Sequence, residues 1–157
     1  MRITGVGKVV PTILIVMLGV LSRSGGSETT RAVVTIRVPA DGDEVGRETV
    51  VRGTATLPAG QYLWVLARRS DFKPLWWPQR EAQIDAATAE WSAVALFGDP
   101  VDVGAEFEVG VVVVDQRGHS QLKDYWVKAM KTNDWRPVQL PEVKAPPRTV
   151  RVRKVLH

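Results

Sequence analysis

Residues 106–114 read EFEVGVVVV, and this stretch decides the fold class. Phe107, Val109, Val111 and Val113 fall on one face at period two, with Glu106 and Glu108 opposite. A strand alternates its side chains in this way, whereas a helix scatters them. Upstream, residues 61–68 (QYLWVLAR) are apolar at both parities, which predicts a central strand covered on both sides. Residues 49–56 set Val51, Gly53 and Ala55 against Val50, Arg52 and Thr54. Residues 32–38 set Val34, Ile36 and Val38 against Thr35 and Arg37. Trp91, Ala93, Ala95 and Phe97 alternate with Ser92, Val94 and Leu96, and residues 82–86 read as a short edge strand. The intervening segments are rich in Pro, Gly and Asp, which form turns. Residues 69–80 (RSDFKPLWWPQR) read as a longer loop.

Downstream of residue 114 the period changes. Leu122, Tyr125, Trp126, Ala129 and Met130 make one apolar stripe at helical spacing, predicting a short amphipathic helix over 119–131 with Ser120 as N-cap. A Pro-rich connection over 136–148 follows, then a last strand over 149–156 (TVRVRKVL). Six or seven strands at roughly ten-residue spacing predict an all-β, antiparallel sandwich with one helix inserted before the last strand.

The chain has 157 residues, 45% of them hydrophobic, with six Trp, two His and no Cys. One domain fits that length. Without Cys there is no disulfide framework, thiolate zinc site or cysteine nucleophile. Two histidines, one of them the last residue, leave no multi-histidine metal centre.

The N-terminus carries Arg2 and Lys8 ahead of a thirteen-residue run from Val9 to Leu21. As a helix that run is about 20 Å long, short of a bilayer core of about 30 Å. Residues 1–24 therefore read as a signal peptide or an N-terminal membrane anchor, residues 25–31 as a flexible spacer, and 32–157 as the folded body. Either N-terminal reading exports the remainder: secreted, periplasmic, or tethered by that segment alone. Removing 1–24 leaves one base in excess. Eight bases and two acids lie from Lys128 onward, against ten bases and fifteen acids in the body before it. Such a basic tail either folds back on the acidic body, the preferred reading, or binds an anionic partner; no nucleic-acid partner is expected.

With VRGTATLPAGQYLWVLARR, PLWWPQ, EWSAVALFG and EFEVGVVVVD in view, the chain resembles cysteine-free bacterial immunoglobulin-like domains of exported proteins. Val51, Gly53, Ala55, Pro58, Gly60, Leu63, Trp64, Val65, Trp77, Pro78, Gln79, Trp91, Phe107, Val109 and Val111 carry the resemblance, over residues 32–115. It implies an immunoglobulin-like β-sandwich of about seven strands. It also implies a non-enzymatic structural or adhesive role at the cell surface, with a protein or cell-envelope polymer as partner. The helix and the basic ending depart from a minimal module of this kind.

Two groups of residues suit binding. Trp76, Trp77, Gln79 and Arg80 combine indoles with polar neighbours, as stacking on sugar rings requires; Trp76 is expected to be the exposed one. This gives the alternative of a polysaccharide- or cell-wall-binding module. Asp41, Asp43 and Glu44 in a turn suit a calcium ion, with Asp99 and Asp102 as further donors; otherwise no cofactor is expected. Trp64 and Trp91 are expected in the core. No residues are assigned to catalysis: His119 reads as solvated or capping, and Glu106 and Glu108 as exposed alternating strand residues.

Overall fold

A computed structural model describes residues 31–156; the signal or anchor expected over 1–24 and most of the spacer lie outside these. Nine strands and one α-helix follow in order: β1 (Val33–Val38), β2 (Glu44–Val45), β3 (Glu48–Thr56), β4 (Tyr62–Arg69), β5 (Trp77–Glu81), β6 (Gln83–Ile84), β7 (Glu90–Leu96), β8 (Glu106–Val114), α1 (Gln116–Thr132) and β9 (Arg148–Lys154). They form two sheets, ordered β1-β3-β7-β6 and β2-β9-β8-β4-β5. The chain is mostly β, as the alternation predicts.

The sheets share a core. Val34, Val51, Ala55, Trp91, Ala95 and Phe97 of the first meet Leu63, Val65, Ala67, Phe107, Val109, Val111 and Val152 of the second or its flanks. Gly53 is needed where Trp91 crosses β3. A Cβ there would lie 1.9 Å from the Thr35 carbonyl oxygen and 2.8 Å from the Trp91 ring. Trp91 Nε1 donates to that same oxygen at 3.1 Å, so its polar edge is satisfied inside the core.

The five-stranded sheet has a second core on its outer face. Trp64, Leu66, Trp76, Val112, Val114 and Leu122 are buried there, with Tyr62, Leu140 and Val143 packed against them. This explains the two-sided apolar pattern of β4 and the burial of Val112 and Val114. The helix and the chain after it cover the face that an antiparallel sheet often leaves to water.

Several expectations are corrected. The helix starts earlier, because Asp115, not Ser120, is the N-cap: its side chain accepts from Gly118 N–H at 2.9 Å. Ser120 lies inside the first turns, and its hydroxyl donates to the Gln116 carbonyl at 3.0 Å. Asn133, at φ 53°, ends the helix in the left-handed conformation. Met130 of the stripe is exposed, whereas Leu122 and Ala129 are buried. Part of the segment read as a loop is strand β5, since Trp77–Glu81 pairs with β4 across a bulge. The β2–β9 pair is parallel, so the arrangement is not purely antiparallel. Val38 is exposed because a register shift after Ile36 takes it off the core face. Glu108 and His119 are buried rather than exposed. The last strand pairs with β8 over Arg148–Arg153, which places that part of the basic ending in the sheet.

Candidate functional site

Trp76, Trp77, Gln79 and Arg80 lie together on β5 and just before it, but they do different things. Trp76 is 4% exposed, which overturns its reading as an open stacking platform. Its backbone exchanges two hydrogen bonds of 2.8 Å with Val138, and its ring lies on the outer face of β8 over Gly110. A Cβ at Gly110 would stand 3.0 Å from two Trp76 ring carbons. Gly110 inside a run of valines was the available sequence signal for this close approach. The Arg68 guanidinium covers the ring at 3.9 Å from its centroid.

Gln79 is the residue set out of register by the β4–β5 bulge, between Pro78 and Arg80. The bulge sends its side chain to the other sheet, where Oε1 accepts from Leu96 N–H at 2.8 Å. Its Nε2 donates to the Trp77 carbonyl at 3.2 Å. Gln79 thus ties β5 to β7.

Trp77 and Arg80 belong to a row of partly exposed aromatic rings. Phe72 tilts against Trp77, centroids 5.3 Å apart at 57°. Trp77 Nε1 donates to the Trp135 carbonyl at 2.6 Å. Trp135 meets Trp126 edge-on at 6.0 Å and 73°, and Arg80 lies 3.9 Å over the Trp126 ring. Phe72 is 40% exposed and Trp135 is 38% exposed. Trp135 Nε1 donates to Asn133 Oδ1 at 3.2 Å, so the residue that ends the helix also orients the exposed indole. Sequence reasoning missed Phe72, Trp126 and Trp135 as part of this surface. Phe72 lies in the same 69–80 segment as Trp77, whereas Trp126 comes from the helix and Trp135 from the chain after it. Only the folding of the chain after β8 back onto the sheet brings those two to Trp77.

The hydroxyl of Tyr125, beside this row, donates to the Arg136 carbonyl at 3.1 Å. Burial, and then the nearby Asp134 carboxylate, push its ionisation up to about 12.

The acidic turn does not converge on one point. Asp43 Oδ2 accepts from Ala40 N–H at 2.7 Å and Asp41 Oδ1 from Arg151 N–H at 2.8 Å. Asp102 instead binds Arg69 at 2.7 Å and caps the Asp99 N–H at 2.8 Å. Among the described residues, no group of three His, Asp or Glu side chains is placed to hold a metal ion. His119 is a structural acceptor: Trp64 Nε1 donates to its Nδ1 at 3.2 Å, and its ring stacks on Tyr62 at 4.0 Å.

No family model matches the chain, and no curated protein matches it.

Proposed function

We propose that this chain is an exported, non-enzymatic immunoglobulin-like module with a structural or adhesive role at the cell surface. Its contact surface is the row formed by Phe72, Trp77, Trp135 and Trp126 with Arg80. The observation that carries the reading is strand order. An immunoglobulin-like domain sets its first, second, fifth and fourth strands in one sheet against the third, sixth and seventh in the other. The orders β1-β3-β7-β6 and β9-β8-β4 follow that scheme, with β2 and β5 as added edges. The helix between β8 and β9 is this chain's own addition.

Exposed Trp, Phe and Arg side chains are the types enriched in protein interfaces. The rings of the row are mutually tilted by 57° and 73°, giving a ridged surface that fits apolar side chains of a protein partner. The polysaccharide reading is favoured at one point: a single exposed indole, Trp135, with Asn133 beside it, suits one sugar ring. In that case the binding residues are Trp135, Trp77 and Arg80 rather than Trp76.

The test joins cell fractionation to co-purification from the cell envelope, comparing wild type with Trp135→Ala and Phe72→Ala. Export and loss of the same bound component from both variants, with thermal stability near wild type, support the proposal. Recovery in the cytosol with the initiator methionine intact overturns export. Undiminished capture by both variants overturns the surface.

A further inference from the structure

The helix covers only part of the outer face of the five-stranded sheet. At the other end of that face lies a cleft of about 450 Å³, walled by the turn after β4, the turn before β2, and strands β8 and β9. Its lining is almost wholly polar, with Ser70, Lys73, Glu106, Glu108, Thr149 and Arg151 contributing.

The cleft holds one satisfied ion-pair cluster and, beside it, two charges that stand outside any ion pair among the described residues. Glu108, 6% exposed, sits in its floor with both oxygens occupied. Arg68 Nε and Nη2 donate to Oε2 at 2.7 and 2.5 Å, and Lys73 Nζ lies 2.6 Å from Oε1. Arg151 is the cross-strand partner of Glu108 in register, yet its guanidinium pairs with no carboxylate within 4.0 Å among the described residues. Glu106, opposite Arg153, likewise has no basic partner within that distance among the described residues. Glu106 and Arg151 are thus diagonal neighbours across β8 and β9, opposite in charge and facing one cleft, and they do not join. Diagonal positions on paired strands are about 7–8 Å apart, enough for a small molecule to lie between long side chains.

A second observation comes from Ser70. Ser70 lines the same cleft, and its Oγ, buried beneath the lining surface, has no hydrogen-bond partner among the described residues. A buried hydroxyl left unmatched is disfavoured, and turning about its Cα–Cβ bond would offer it to a ligand oxygen or nitrogen in the cleft.

We infer that this cleft binds a small zwitterion of the amino-acid class. The ligand's carboxylate lies toward Arg151 and Lys73, and its ammonium toward Glu106 and Asp41, which also line the cleft. With Arg68 counted, the surrounding charges balance, so a neutral molecule with separated charges matches the site, while a plain anion or cation meets repulsion on one side. Recognition of this kind is separate from the aromatic row and does not depend on the immunoglobulin-like reading.

The test is calorimetric titration of the full chain with L-alanine, acetate and ethylamine. L-Alanine is expected to saturate one site. Acetate and ethylamine, each holding half of the charge pattern, are expected to bind about tenfold more weakly or less. Arg151→Gln and Glu106→Gln, both exposed strand positions, should each weaken L-alanine about tenfold while the far-ultraviolet spectrum stays unchanged. Ser70→Ala should weaken it several-fold without loss of thermal stability. No saturable binding of L-alanine up to about 10 mM overturns the inference. So does acetate binding as tightly as L-alanine, or an unchanged affinity in both charge variants.

Discussion

The indole N–H of Trp64 donates to Nδ1 of His119 at 3.2 Å, joining the interior strand β4 to the helix that covers its sheet. Trp64 is 4% exposed and His119 9%, so neither partner has easy recourse to water. The same ring stacks on Tyr62, whose hydroxyl donates to Gln116 at 2.6 Å. The helix is thereby fixed in rotation as well as in place.

Replacing His119 with Phe keeps the stacking but removes the acceptor. The buried indole N–H is then unsatisfied, at a cost of about 1–3 kcal/mol. Chemical denaturation should show that loss, and the Trp64 indole proton should exchange faster in the variant.

Glu108 and Arg68 depend on each other. Glu108→Ala strands a largely buried guanidinium and should destabilise by about 3–5 kcal/mol. Replacing both, as Arg68→Met with Glu108→Leu, should recover most of that loss, because neither charge is then left alone. If the double variant is no better than the single one, the pair is not the origin of the effect.

Acid should act through the same carboxylate. Burial pushes the Glu108 carboxyl up, but Lys73 and then Arg68 outweigh it and hold it below the ordinary glutamate range. The folded-state value is therefore below the unfolded one, near 4.3. Its contribution to stability is complete above that value and lost as pH falls through the folded value. Between pH 5 and pH 3 (about the span of the unfolded carboxyl titration), the unfolding midpoint should fall more steeply in wild type than in Glu108→Gln.

Tyr125 offers a check on the cover over the sheet. Its ionisation is raised to about 12, so tyrosinate absorbance should show a step there. A chain unfolded in denaturant should lose that step and titrate near 10. Since the unfolded form releases its proton first, stability should decline as pH rises above about 10.

Trp76→Ala removes a buried ring from between Arg68, Gly110 and the Val138 segment, and should cost about 3–5 kcal/mol. Trp135→Ala, at the exposed end of the row, should change stability far less. Scanning calorimetry separates the two, and equal losses would contradict the different burial of these indoles.

Strand character was plain in residues 106–114 because alternation is a local property of the chain, and β4, β7 and β8 fall where the pattern put them. Strand β5 was not legible: Trp77–Glu81 has no alternation, contains Pro78, and carries a bulge that breaks its period. The helix was recognisable from its stripe, but its start was not. Asp115 is as much a turn-forming residue as a cap, and capping is decided by which side chain reaches an N–H. Of the candidate binding residues, Trp77 and Arg80 lie in the row of rings, and Phe72 stands in the same loop without being assigned to binding. Trp126 and Trp135 were beyond reach because they come from distant segments.

The amino-acid order alone determined that this chain folds as paired sheets around tryptophan and valine, because side-chain periodicity and turn chemistry act over a few residues at a time. Which indoles end up covered and which open was decided only in three dimensions. That outcome depends on the chain after the helix returning to pair Val138 with Trp76, and on Gly110 leaving room for the ring. Such contacts join residues far apart in sequence, and no local pattern specifies where a distant segment will lie.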